Sequence, residues 1–105
     1  MFFEHVHFNF HGNYLLGRLW AEQIAKSLPA TSTSNNASAW PSQETCERAL
    51  GLTPWTRGFV IDLVIGRMQR PPLNNQFNNP TRLAELQAQL ARIREQQSLT
   101  NAAVR

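Results

Sequence analysis

Helical spacing of apolar residues, broken at prolines, governs what this chain folds into. In "NYLLGRLWAEQIAKSL", residues 13–28, Leu15, Leu16, Leu19, Trp20, Ile24 and Leu28 fall at three- and four-residue steps and gather into one stripe. Asn13, after Gly12, is a cap or first-turn residue, and Pro29 closes the helix because its ring excludes a helical predecessor. On this stripe Trp20 reads as a core residue. A second, short helix is expected over "QETCERALG", with Ser42 at its start, Glu44 in its first turn and Gly51 as the left-handed residue after its end. A third begins with Thr53 as cap and Pro54 at the first helical position, where a missing N–H is harmless, and continues through Phe59, Val60, Leu63, Val64 and Met68. The β-branched residues Val60, Ile61, Val64 and Ile65 also permit a strand, but length and the placement of Asp62 favour a helix. "PPLNNQFNNP" breaks regular structure, and residues 81–97 set Leu83, Leu86, Leu90 and Ile93 in a narrow seam suited to another helix.

The expected fold is therefore mainly α, with about four helices. The second, third and fourth should pack together, and the first should dock loosely across a polar linker at 30–41 rich in Ser, Thr and Asn, which Trp40 and Pro41 pin at its end. A chain of 105 residues supports one modest core rather than a large enzyme scaffold. Its cations do not cluster: Arg18, Arg48, Arg57, Arg67, Arg82 and Arg92 are spread along the helical segments, and the densest group, Arg67 with Arg70, is only a pair, so the net charge of +3 reads as solvated helix surface and nucleic acid is not an expected partner. Cys46 stands alone, which removes an internal disulfide and a cysteine-based zinc site. No apolar run approaches a membrane span, and no signal or anchor is expected.

All three histidines, His5, His7 and His11, lie between Phe2 and Gly12. On an extended segment His5 and His7 would face one side, with His11 or Glu4 as a third zinc ligand, but the sequence does not establish the convergence that a metal needs, and no metal or cofactor is expected. Alternatively the histidines are polar punctuation between Phe2, Phe3, Phe8 and Phe10, whose rings pack inward.

A third reading comes from the order of residue types. Glu4-His5-Val6-His7-Phe8-Asn9-Phe10-His11-Gly12, followed by an apolar helix, resembles the final block of the SGNH (GDSL-type) hydrolase family, typically D-x-x-H-P-N-x-x-G before a helix. The matching positions are Glu4, His7, Asn9 and Gly12. The resemblance implies a flavodoxin-like α/β fold and ester hydrolysis by a serine nucleophile from an early G-D-S block. Glu4 would orient His7, the general base, while Asn9 ties the turn and Gly12 gives the backbone freedom needed where the loop enters the helix. Glu4 stands for the family's aspartate and Phe8 for its proline, and the chain has no G-D-S block. Ser27, Ser32, Ser34, Ser38, Ser42 and Ser98 lie on helices, in the linker or near the tail, none of them at a strand-to-helix elbow that would activate a nucleophile.

The expectation is a C-terminal piece of such a hydrolase, inactive alone. Residues 1–29 would end the α/β domain, with an extended N-terminal segment at the sheet edge and the first helix as the domain's last. Residues 42–97 would form a helical connecting region, and 98–105 a tail. That region resembles a segment found in bacterial proteins between SGNH-like domains and tetratricopeptide repeats, through Leu52, Thr53 and Trp55, then Gln69, Pro71, Pro72, Asn75 and Gln76. The expected partners are the rest of the hydrolase domain or a helix bound at the Leu83, Leu86, Leu90 and Ile93 seam. An apolar face left by a missing sheet should promote self-association. The competing functional reading is a helical interaction module with no catalytic role.

Overall fold

The structure is a computed structural model, which describes residues 1–29 and 40–103. Most of the expected 30–41 linker lies outside the described residues. The chain forms α1 (Phe10–Ser27), α2 (Gln43–Ala49), α3 (Pro54–Met68), a short 3-10 turn at Leu73–Asn75, and α4 (Asn79–Ala103). The mainly α architecture and its four helices match the sequence reading, and the described residues contain no strand beyond an isolated bridge between Phe2 and Phe8.

The helix starts follow from their caps. The Ser42 side chain accepts the Thr45 N–H at α2, and at α3 Thr53 and Thr56 satisfy each other's backbone N–H groups around Pro54. Gly51 ends α2 with φ +71°, a conformation that glycine adopts without a Cβ penalty. α1 begins three residues before Asn13 because Asn9 is its cap. α4 continues through the residues expected as a tail, to Ala103.

The core lies between α3 and α4. Ile61, Ile65 and Met68 of α3 meet Leu86, Leu90 and Ile93 of α4, with Phe3 inserted from the N-terminus and Leu83, Val60, Val64 and Phe10 against its rim. The Leu83, Leu86, Leu90 and Ile93 seam therefore has its helix within the chain: α3 covers it, and the expected external partner helix has no free surface there. Asn79, 5% exposed, locks the α3–α4 connection by donating from Nδ2 to the carbonyls of Met68 and Leu73, each at 2.9 Å. Both donors of one buried amide are thus used.

Two expectations about packing are corrected. α2 docks on α1 rather than joining α3 and α4. The pairing is fixed by polar contacts: the Tyr14 hydroxyl donates to the Pro41 carbonyl at 2.9 Å, and His11 Nδ1 meets Gln43 Oε1 at 2.8 Å. Trp20 is not a core residue; it is 65% exposed, and Leu19, Ile24 and Leu28 of the same stripe are exposed with it, because beyond Phe10 at its start α1 has only the short α2 as a helical neighbour. Of the other tryptophans, Trp55 stacks on Phe59 at the surface, with ring centroids 6.3 Å apart.

The molecule is a plate. Its backbone extends 50 × 44 × 15 Å, and its radius of gyration of 18.0 Å exceeds the roughly 13 Å usual for a compact chain of this length. No helix among the described residues is long and apolar enough to cross a membrane.

Candidate functional site: the Glu4–His7 turn

Residues 2–8 are not extended, as the sequence reading expected, but fold back on themselves. Phe2 and Phe8 form an antiparallel bridge with their rings stacked 4.5 Å apart, Phe3 N donates to the His7 carbonyl at 2.8 Å, and Asn9 N donates to the Met1 carbonyl at 3.0 Å. The reversal has an electrostatic cause. Glu4 is only 4% exposed, and its carboxylate sits inside the loop, where Oε2 accepts the Val6 N–H at 2.8 Å and Oε1 accepts a hydrogen bond from His7 Nδ1. A buried carboxylate is tolerated only with such partners, so the loop curls around it.

His7 is thereby set in one tautomer. Its Nδ1 faces an acceptor and must carry the proton, which leaves Nε2 with its lone pair in the neutral ring, and the side chain is 64% exposed. His5 approaches the other carboxylate oxygen, with Nδ1 3.2 Å from Oε2, and lies 2.5 Å from the Gln76 side-chain nitrogen.

The other two predicted positions join the turn to α1. Asn9 Oδ1 accepts the Gly12 N–H at 2.9 Å, closing the first turn. Gly12 is buried inside α1, and Gly51 is the only described glycine with positive φ, so Gly12 serves by its lack of a side chain rather than by backbone freedom. A Cβ there would stand 2.3 Å from the Met1 carbonyl oxygen and 2.8 Å from the Phe8 ring.

His11 is not brought to the other histidines' carboxylate; it faces Gln43 instead. Among the described residues no three of His, Cys, Asp and Glu are grouped as a metal site requires. The described serines bond elsewhere: Ser27 and Ser98 donate to helix carbonyls at Gln23 and Glu95, and Ser42 caps α2. Ser32, Ser34 and Ser38 lie outside the described residues.

Burial pushes the Glu4 carboxyl up, but the His7 hydrogen bond, the Val6 N–H and the neighbouring charges of His7 and His5 together outweigh it, and the group titrates below its usual value. Because the folded state holds this proton less tightly than the unfolded chain, the carboxylate stabilises the turn fully above the unfolded carboxylate value, about 4.3, and the contribution is lost as pH falls through the lower folded value. Acidification is expected to open the turn before it melts α3 and α4, with the Phe3 and Asn9 amide resonances moving first in a 15N-resolved titration. Glu4→Gln should remove that acid step and leave the turn open at neutral pH; an unchanged titration would show that another group holds the loop.

A polar network that the sequence did not signal lies behind the turn. His11 contacts Gln43, whose amide nitrogen donates to Glu47 Oε1 at 2.7 Å, and Arg57 donates to Glu47 Oε2 at 2.5 Å while its guanidinium lies 4.3 Å from the centre of the Phe10 ring. These residues come from three helices, and apart from the i,i+4 pair Gln43 and Glu47 on α2 no local spacing relates them.

Compared with known proteins, the chain matches no family model, no curated sequence and no solved structure.

Proposed function

We propose that Glu4 and His7 form the acid and base arm of an SGNH-type ester hydrolase site, with the serine nucleophile and oxyanion donors supplied by protein outside these 105 residues. The observation that carries the reading is the pairing of a buried carboxylate with His7 Nδ1 across a three-residue step, which leaves Nε2 bare and accessible. In serine hydrolases the carboxylate fixes the imidazole and stabilises the imidazolium, while the opposite nitrogen takes the serine proton and returns it to the leaving group. Here Val6 N–H, by holding the second carboxylate oxygen, keeps Glu4 from turning away from His7. The exposed apolar stripe of α1 supports the same reading, since the final helix of a flavodoxin-like domain packs such a face on its sheet. In this reading the α3–α4 pair is the connecting region. The competing interaction-module reading loses its seam to α3.

The test is hydrolysis of p-nitrophenyl acetate by the 105-residue chain, by its His7→Ala variant, and by a version extended upstream through a G-D-S block. The two short chains are expected to be equally slow. The extended protein should turn over, and His7→Ala should reduce its rate by about a thousandfold, within the range of a lost general base. Activity of the extended protein that ignores His7, or His7-dependent turnover by the short chain, would overturn the assignment.

A further inference from the structure

On the α4 side of the N-terminal turn lies a cleft of about 300 Å³, bounded by Phe2, Phe3 and Phe10 and by polar side chains of α2, α3 and α4. Arg82 is its distinctive residue. The side chain is half-buried, yet among the described residues its guanidinium has no carboxylate within salt-bridge distance, and its one protein hydrogen bond is a long one, 3.4 Å from Nη1 to the Phe3 carbonyl. A guanidinium carries five N–H donors in a planar fork, so most of the Arg82 fork has no protein acceptor among the described residues. Arg57, by contrast, is consumed by Glu47 and the Phe10 ring.

We infer that this cleft binds a small organic monocarboxylate, its two oxygens bridging the free N–H groups of Arg82. Three properties select that class. The fork of Arg82 matches two oxygens of one carboxylate in a plane. The volume is at the small end of ligand sites, enough for a single ring. Glu85, which also lines the cleft and has no ion-pair partner among the described residues, repels a dianion and so disfavours a phosphate monoester relative to a singly charged acid. The site does not involve Glu4 or His7, so it stands or falls apart from the hydrolase reading.

Benzoate is the probe, with benzamide as its neutral counterpart and inorganic phosphate as the dianion, each titrated into 15N-labelled full chain. Benzoate is expected to give saturable shifts of the Phe3, Phe10 and Glu85 amides, at least tenfold tighter than benzamide and tighter than phosphate. Arg82→Gln should weaken benzoate at least tenfold, with Arg82→Lys in between because it keeps the charge and loses the fork. Glu85→Gln should tighten benzoate severalfold, an effect that a purely structural role for the cleft would not produce. Equal binding of benzamide and benzoate, tighter phosphate than benzoate, insensitivity to Arg82→Gln in a variant with unaltered circular dichroism, or no saturable shift would each overturn the inference.

Discussion

Gly12→Ala is expected to detach the N-terminal turn from α1. The new methyl would sit 2.3 Å from the Met1 carbonyl oxygen and 2.8 Å from Phe8, and the first of these neighbours is backbone, which cannot rotate aside. Relief requires the Met1–Asn9 hydrogen bond to break, and with it the alignment that holds Phe3 N on the His7 carbonyl. Overpacking of this kind typically costs about 1–3 kcal/mol, and a backbone clash belongs at the upper end. The effect should be local in an informative way. The Phe3 and Asn9 amides lose protection from hydrogen exchange, Phe3 leaves the core, and α3 and α4 remain paired. Alanine also favours helix over glycine by about 1 kcal/mol, so a variant that becomes more stable would mean that the close approach at Met1 is absent in solution.

Ile61→Ala is expected to be the most damaging truncation in α3. Ile61 is 1% exposed and sits among the buried residues where α3 crosses α4. Isoleucine-to-alanine changes at such sites cost about 2–5 kcal/mol, depending on how far the surroundings collapse into the gap. In a plate 15 Å thick the neighbours are free to relax toward either face, which argues for about 3 kcal/mol rather than the upper limit. That is a large share of the about 5–15 kcal/mol that folded domains possess. Leu63→Ala is the control. Two residues away on the same helix, Leu63 is 50% exposed, and its truncation should change stability by less than about 0.5 kcal/mol. Urea unfolding followed by circular dichroism compares the two. Equal effects would place α3 in a different rotation about its own axis.

The helices were legible because their signals are local. Thr53-Pro54, Ser42 and Gly51 act within one turn, and the α4 pattern buries Leu86, Leu90 and Ile93 as its period marks them, whereas of the α3 residues the sequence marked only Met68 is buried: Phe59 and Leu63 are exposed, and Ile61 and Ile65 form the core face instead. The α1 pattern is equally regular and its stripe is nonetheless exposed, since a period states which face is apolar but not whether the chain supplies anything to cover it. The reversal of residues 2–8 divided the readings: the pattern of Phe and His suits an extended segment, whereas the order Glu4-x-x-His7 followed by Asn9 implies a turn, and the turn forms because one carboxylate gathers Val6 and His7 from within three residues. The Glu4–His7 contact was legible in the order of residue types, whereas the Arg82–Phe3 contact gave no signal, because it is set across 79 residues of sequence. The α1–α2 pairing escaped in the same way, resting on Tyr14 with Pro41 and His11 with Gln43.

The thinness of the plate also bears on how stability varies with temperature. Heat-capacity change on unfolding scales with the apolar surface newly hydrated, and a single layer of helices with exposed Leu19, Trp20, Ile24, Phe59 and Leu63 hydrates much of that surface before it unfolds. The heat-capacity increment should therefore fall below the roughly 1.4 kcal/mol/K of a compact chain of about 100 residues, and the stability curve should be shallow. Cooling then gains this protein little and warming erodes its stability slowly, so its margin of stability varies less with temperature than that of a thicker domain of equal length.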